Sequence, residues 1–127
     1  SDALDLGSLT PTRDFTFVSD TCNGFIEILR SEKFFGEVVN IGSNKEISIA
    51  QLLEKISKIM NVYKKPRTIK ERVRPANSEV NRLICDNSKL VSSTPWRIKV
   101  DFDEGLKKTI QWVKKNNRYF KSGIYNV

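Results

Sequence analysis

Helical and strand-like stretches alternate along this chain, but the strands are too few and too far apart to complete a doubly wound parallel sheet. Phe15-Thr16-Phe17-Val18 is aromatic and β-branched, which predicts a strand. Ser19 or Asp20 then caps a helix to about Arg30, with Cys22, Phe25, Ile26 and Leu29 as its apolar stripe. Glu37-Val38-Val39-Asn40-Ile41 reads as a second strand, closed by Gly42. Ser48 and Gln51 form a capping-box pattern ahead of Ile49, Leu52, Leu53, Ile56, Ile59 and Met60, the clearest amphipathic helix, which ends near Asn61. Beyond Pro66, residues 67–71 alternate as a short strand, and residues 72–81 form a loop stiffened by Pro75. Asp86-Asn87-Ser88 starts a short helix through Val91. Asp101 and Glu104 open a last helix that turns Phe102, Leu106, Ile110, Trp112 and Val113 inward and stops around Asn116. The tail, residues 122–127, reads as irregular. The pattern predicts one small mixed α/β domain over residues 1–127.

The six glycines are isolated from one another, so no GxGxxG fingerprint for a dinucleotide can be built from them. The chain has no histidine, which excludes a Ser-His-Asp triad, a Cys-His pair and a His-ligated metal within it. Cys22 and Cys85 fit no CxxC pattern and read as buried free thiols of a reducing compartment, which places the chain in the cytoplasm. No apolar run approaches the ~20 residues of a membrane helix, and no signal peptide is visible at Ser1. The absent initiator Met fits a processed or excised chain.

A net charge of +7 raises the possibility of a nucleic-acid or polyanion partner. Lys64, Lys65, Arg67, Lys70, Arg72 and Arg74 form one basic group, and residues 107–121 carry another. The second group lies opposite an apolar stripe at helical spacing and reads as a solvated helix face. No nucleic-acid recognition motif accompanies either group.

Four residues are candidates for substrate binding. Arg13 precedes a strand beside Asp14, either as a local ion pair or as a planar fork aimed at a phosphate. Asn40 and Gly42 end a strand, either as an ordinary turn or as an amide near a base or ribose with close backbone approach permitted by Gly42. Arg74 and Glu79 lie five residues apart in a loop, either as solvated charges or as a guanidinium for a diphosphate and a carboxylate for ribose hydroxyls. Arg72 and Arg82 read as surface charges. Trp96 and Trp112 read as core residues in preference to stacking platforms. Asp101, Asp103 and Glu104 read as helix-start charges in preference to an acid/base cluster.

Taken in order, these segments resemble the C-terminal region of the extended short-chain dehydrogenase/reductases, the NAD-dependent epimerase/dehydratase family. The likeness runs from about Gly7 to Asn116. It is carried by Arg13-Asp14-Phe15-x-Phe17-Val18-x-Asp20, Val39-Asn40-Ile41-Gly42 with Ile47-Ser48-Ile49, and Arg74-Pro75-x-x-Ser78-Glu79-Val80. Asp86-x-Ser88-Lys89, Pro95-Trp96, Glu104-Gly105-Leu106 and Thr109-Ile110-x-Trp112 complete it. Ser93-Thr94-Pro95-Trp96 departs from the Gly-Trp-x-Pro-like turn usual there. The form around Arg74 is similar to 4,6-dehydratases acting on GDP- or UDP-linked N-acetylglucosamine, of the legionaminic-acid pathway type.

The resemblance implies a small mixed α/β substrate-binding domain lacking the Rossmann half. It implies Arg13 and Arg74 on the diphosphate, Asn40 near the nucleotide and Glu79 on the ribose. It also implies a lyase parent that binds NAD(P) in its N-terminal Rossmann domain and forms a homodimer. The family's Tyr-x-x-x-Lys pair is absent, since Tyr63 and Tyr119 are followed four positions on by Arg67 and Gly123, and Tyr125 by no residue. No catalytic residue, metal or cofactor is therefore expected in this chain alone. An epimerase fragment and a stand-alone polyanion-binding module are the alternatives.

Overall fold

The computed structural model describes residues 3–120. Two small sheets are joined by four α-helices: β1 (Ala3–Leu6), β2 (Thr12–Arg13), α1 (Val18–Arg30), β3 (Ile47–Ser48), α2 (Ile49–Met60), β4 (Lys65–Thr68), β5 (Arg82–Leu83), α3 (Ser88–Ser93) and α4 (Phe102–Lys115). β2 is central in a sheet of order β3-β2-β5, antiparallel to β3 and parallel to β5. β1 pairs in parallel with β4. The mixed α/β character expected from the sequence is present, and the irregular tail expected at 122–127 lies outside the described residues.

Where signals are local, the elements fall as the sequence predicts. Ser48 accepts from the Gln51 N–H at 3.1 Å while Gln51 Oε1 accepts from the Ser48 N–H at 2.9 Å, closing the capping box of α2. Asn61 ends that helix in the left-handed region at φ 53°. Asp101 accepts from the Glu104 N–H at 2.9 Å and starts α4, and Asp86 accepts from the Ser88 N–H ahead of α3.

Where pairing is non-local, the expectations move. The strand expected at residues 15–18 is absent: Thr12–Arg13 is the strand, and Val18 already belongs to α1. After Arg13 the chain leaves the sheet, because Phe15 meets Phe102 of α4 at 6.1 Å between ring centroids. Asp20 does not cap α1. It is buried, and its Oδ2 accepts from the N–H groups of Lys99 and Val100 at 3.2 and 3.0 Å. The strand expected at residues 67–71 lies at 65–68, and residues 70–72 turn as a 3-10 helix. Pro66 is tolerated because β4 is paired on one side alone. Residues 37–41 pair with no strand among the described residues.

The core is small: Phe34, Leu90 and Trp96 are buried, with Ile28, Val39, Ile41 and Val91 packed on them. Trp96 is the core residue expected and donates its indole N–H to the Asp20 carbonyl at 2.9 Å. Trp112, also expected inside, is 57% exposed and meets the ring of Phe120 edge-on at 6.2 Å between centroids. Cys22, expected buried, is exposed on α1, and Cys85 is half-buried.

Candidate functional site

The site is built where β2 meets two distant segments. Arg13 on β2 directs Nη2 to Glu79 Oε1 at 3.0 Å and Nη1 to the carbonyls of Thr12 and Val80 at 2.7 and 2.6 Å. Both side chains are largely buried, at 22% and 18% exposure, so solvent screens this pair less than a surface bridge. The guanidinium thereby fastens residues 79–80 to the sheet, alongside the backbone bond from Thr12 N–H to Asn81 O at 2.9 Å.

Asp14 does not pair with Arg13. Its Oδ1 accepts from Ser43 N–H and Oγ–H at 2.9 and 2.5 Å, and its Oδ2 accepts from the N–H groups of Asn44 and Cys85 at 2.9 and 3.2 Å. One carboxylate thus staples the turn after Gly42 to the strand end before Asp86. Gly42 is required there, since a Cβ on it would sit 2.3 Å from Cys85 Cβ. Asn44 holds φ 58° in that turn, which asparagine tolerates better than most residues. Asn87 secures the Gly42 carbonyl at 2.8 Å. Burial, followed by the charges of Asp14 and Asp86, pushes the Cys85 thiol up, which disfavours a reactive thiolate.

Glu46 closes the other side. It receives Thr12 Oγ1–H at 2.6 Å and the Arg82 Nε–H at 2.8 and 2.9 Å. The Arg82 hydrogen bonds, then that of Thr12, hold its carboxyl below the ordinary range. Arg82, expected as a bare surface charge, ties β5 to the segment leading into β3.

Of the four expected binding residues, the structure joins Arg13 to Glu79. The Glu79 oxygen that would meet a ribose is half committed: Oε1 is bound to Arg13, and Oε2 has no partner among the described residues. Arg74 is exposed and makes no hydrogen bond or ion pair with any described residue. Its loop is nonetheless ordered by a 3-10 turn at Ala76–Ser78, where Ser78 donates both N–H and Oγ–H to the Pro75 carbonyl. Asn40 is exposed two residues before Gly42, and no hydrogen bond joins it or Arg74 to the Arg13–Glu79 pair. Within the basic group, Arg67 instead grips Asp5 directly opposite it with two bonds of 2.6 and 2.9 Å, and Arg72 donates to the Asp5 carbonyl.

Sequence reasoning missed Asp14 as an anchor and Glu46 altogether. Their signal is sparse: Asp14 binds backbone N–H groups, which need no partner type at any fixed spacing, and the side-chain partners of Glu46, Thr12 and Arg82, lie 34 and 36 residues away. An open groove of ≈ 940 Å³ also crosses the surface from Phe15 to Lys107. None of the four candidate residues lines it, and Lys45, Lys55, Lys99 and Lys107 face Glu46, Asp101, Asp103 and Glu104 across it. Such mixed charge gives it no preference for an anion.

A dinucleotide does not fit these residues. The four helix N-caps are Phe17, Ser48, Asn87 and Asp101, with no glycine-rich strand-to-helix turn among the described residues. No described helix is long and apolar enough to cross a membrane.

The family model described as GDP-mannose 4,6 dehydratase matches residues 1–109. The chain belongs to the NAD-dependent epimerase/dehydratase family. The human dTDP-D-glucose 4,6-dehydratase is 31% identical over 91% of this chain and 33% of its own length. The UDP-glucuronate 4-epimerase of Thermodesulfobacterium geofontis is 32% identical over 91% of the chain and 34% of its own. The crystal structure of the Bacillus anthracis dTDP-glucose 4,6-dehydratase in complex with NAD superposes with a TM-score of 0.80 at 26% identity, covering 94% of this chain and 36% of that one. The chain therefore spans about a third of the length of the relatives it matches.

Proposed function

We propose that this chain is the nucleotide-sugar-recognition part of an NAD-dependent nucleotide-sugar 4,6-dehydratase, of the GDP- or UDP-N-acetylglucosamine class, and is not catalytic alone. The observation that carries the reading is the contrast between Arg74 and the arginines around it. Arg13, Arg67, Arg72 and Arg82 are engaged with protein carboxylates or carbonyls, whereas Arg74 has no partner among the described residues and lies on a loop whose base is clamped to β2. An unpaired guanidinium can take a diphosphate in its fork without first giving up a protein partner, and the turn at residues 76–78 spares the cost of ordering the loop backbone. Glu79 Oε2, at the other end of the loop, is left to accept from a ribose hydroxyl, and Asn40 offers an amide edge.

In this reading the hydride carrier and the proton relay lie in the other two thirds of the family architecture. What this chain does is bind and orient. The diphosphate is neutralised by Arg74, with Arg13 fixing the distance between that loop and the sheet. A cytoplasmic homodimeric parent belongs to the same proposal. An epimerase parent would use the same recognition groups, and assaying the parent's product distinguishes the two.

The test is titration of GDP- and UDP-N-acetylglucosamine into the isotope-labelled chain. Amide shifts are expected at residues 73–80, and Arg74→Ala is expected to weaken binding roughly 10-fold or more, the loss of one charge-assisted pair. Equal binding by wild type and Arg74→Ala overturns the reading. So does tighter binding of a single-stranded oligonucleotide with a steep salt slope, the mark of a polyanion module.

A further inference from the structure

The loop that carries Arg74 and Glu79 is held at each end by an arginine that the proposed recognition does not use. At its entry, Arg72 donates to the Asp5 carbonyl at 2.6 Å and holds the 3-10 turn at Lys70–Arg72 against β1. At its exit, Arg82 is the cross-strand partner of Thr12 in the pairing of β2 with β5. Each of those strands is two residues long, so their backbone bonds alone hold the loop exit weakly.

Glu46 reinforces that exit. It stands just before β3, and its carboxylate is shared by the other two strands of the sheet. Oε2 accepts from Thr12 Oγ1–H at 2.6 Å, while Oε1 lies 2.8 Å from Nε and 2.7 Å from Nη2 of Arg82. Successive strand side chains leave opposite faces, so Thr12 meets Glu46 on one face of β2 while Arg13 meets Glu79 on the other. The chain between the two clamps is short: Glu79, Val80 and Asn81 lead directly into Arg82, and Thr12 N–H holds the Asn81 carbonyl at 2.9 Å.

Arg82 is 68% exposed and Glu46 27%, and exposed ion pairs contribute modestly to stability. The larger consequence is geometric. A guanidinium forked against a carboxylate that also holds Thr12 fixes the orientation of residue 82 against residue 12.

We infer that Glu46 is a positioning residue for nucleotide-sugar recognition: by clamping Arg82 to Thr12 it sets where Glu79 and the Arg74 loop stand relative to β2. The inference rests on the recognition reading above. Charge gives it a sign that no general field effect reproduces. Glu46→Gln removes a negative charge and by itself favours an anionic ligand, whereas Arg82→Gln removes a positive charge and disfavours it. Positioning requires both variants to bind the nucleotide sugar more weakly.

The experiment compares the wild-type chain with Glu46→Gln, Arg82→Gln and the reversed pair Glu46→Arg with Arg82→Glu, each shown to be folded by its amide spectrum. Two probes are titrated: inorganic pyrophosphate, and whichever of GDP- and UDP-N-acetylglucosamine the wild type binds more tightly. Pyrophosphate calls on Arg74 alone, whereas the nucleotide sugar also needs Glu79 at a fixed separation. Both single variants are expected to weaken the nucleotide sugar about 5-fold without weakening pyrophosphate, and the reversed pair to recover most of that loss. A readout that needs no ligand is the exchange of the Arg13 guanidinium protons with water, expected to quicken about 5-fold in Glu46→Gln as the pair on the far face of β2 loosens.

Opposite effects of the two single variants on the nucleotide sugar overturn the inference, as does equal weakening of both probes. Wild-type affinity with unaltered Arg13 exchange in Glu46→Gln also overturns it, and if Arg74→Ala still weakens binding, the recognition reading stands without it. If Arg74→Ala binds as the wild type does, the recognition reading fails, and Arg13 exchange alone decides whether Glu46 positions the Arg13–Glu79 pair.

Discussion

Asp14, at the end of β2, accepts four hydrogen bonds from two segments distant in sequence, whereas Leu29, at the end of α1, lies almost fully in solvent. The first region is polar by sequence and closed by tertiary contacts; the second is apolar by sequence and open. Polar groups can be satisfied within a short chain because a single carboxylate meets the needs of several N–H groups at once. Apolar faces need area, and a core of Phe34, Leu90 and Trp96 has little to offer. The difference teaches that this chain satisfies its own polar groups around β2 while the apolar face of α1 stays open among the described residues.

The sharpest way to break that comparison is Gly42→Ala. A Cβ 2.3 Å from Cys85 Cβ forces the Asp14 junction apart, with an expected loss of about 3 kcal/mol or more in urea unfolding. A loss below 1 kcal/mol would mean the junction is loose. Asp14→Ala comes next, at about 2–3 kcal/mol, because it strands the backbone N–H groups of Ser43, Asn44 and Cys85. Amide exchange at those three residues should accelerate, and unchanged exchange would remove Asp14 as the anchor.

Glu79→Ala should cost about 1 kcal/mol, since Arg13 keeps its bonds to the Thr12 and Val80 carbonyls. Thermal unfolding checks it. On the open side, Leu29→Glu should change the stability of the isolated chain by no more than about 0.5 kcal/mol. A larger loss, read from the same unfolding curves, would show that α1 is already covered in solution.

Acid sharpens the comparison further. The bond from Arg67 holds Asp5 below its ordinary value, and the bonds from Arg82 and Thr12 do the same for Glu46. Carboxyls with depressed folded-state pKa values contribute stability that is present above the unfolded pKa and lost as pH falls through the folded one. The urea midpoint should hold level from neutrality to about pH 5 and drop below about pH 4. Asp5→Asn with Glu46→Gln should flatten that drop; an unaltered profile would exclude these pairs as its source.

The candidate site was legible in part. Arg13, Arg74 and Glu79 could be singled out from residue type and loop context, but that Arg13 and Glu79 bind each other could not, because 66 residues separate them. Cys22 and Trp112 were expected inside from their place on apolar stripes, and both are exposed, since periodicity states which face is apolar without stating what covers it.

Sequence alone determined the local features: the Ser48–Gln51 capping box, the Asp101 cap, the αL stop at Asn61 and the loop around Pro75, each fixed by residues within a few positions. Tertiary structure alone decided that the strand is Thr12–Arg13 instead of residues 15–18, and that Asp20 turns inward to Lys99 and Val100. It also decided that residues 37–41 pair with no strand among the described residues. Strand pairing and buried carboxylate contacts draw their free energy from partners far along the chain, and no local pattern encodes whether those partners are present.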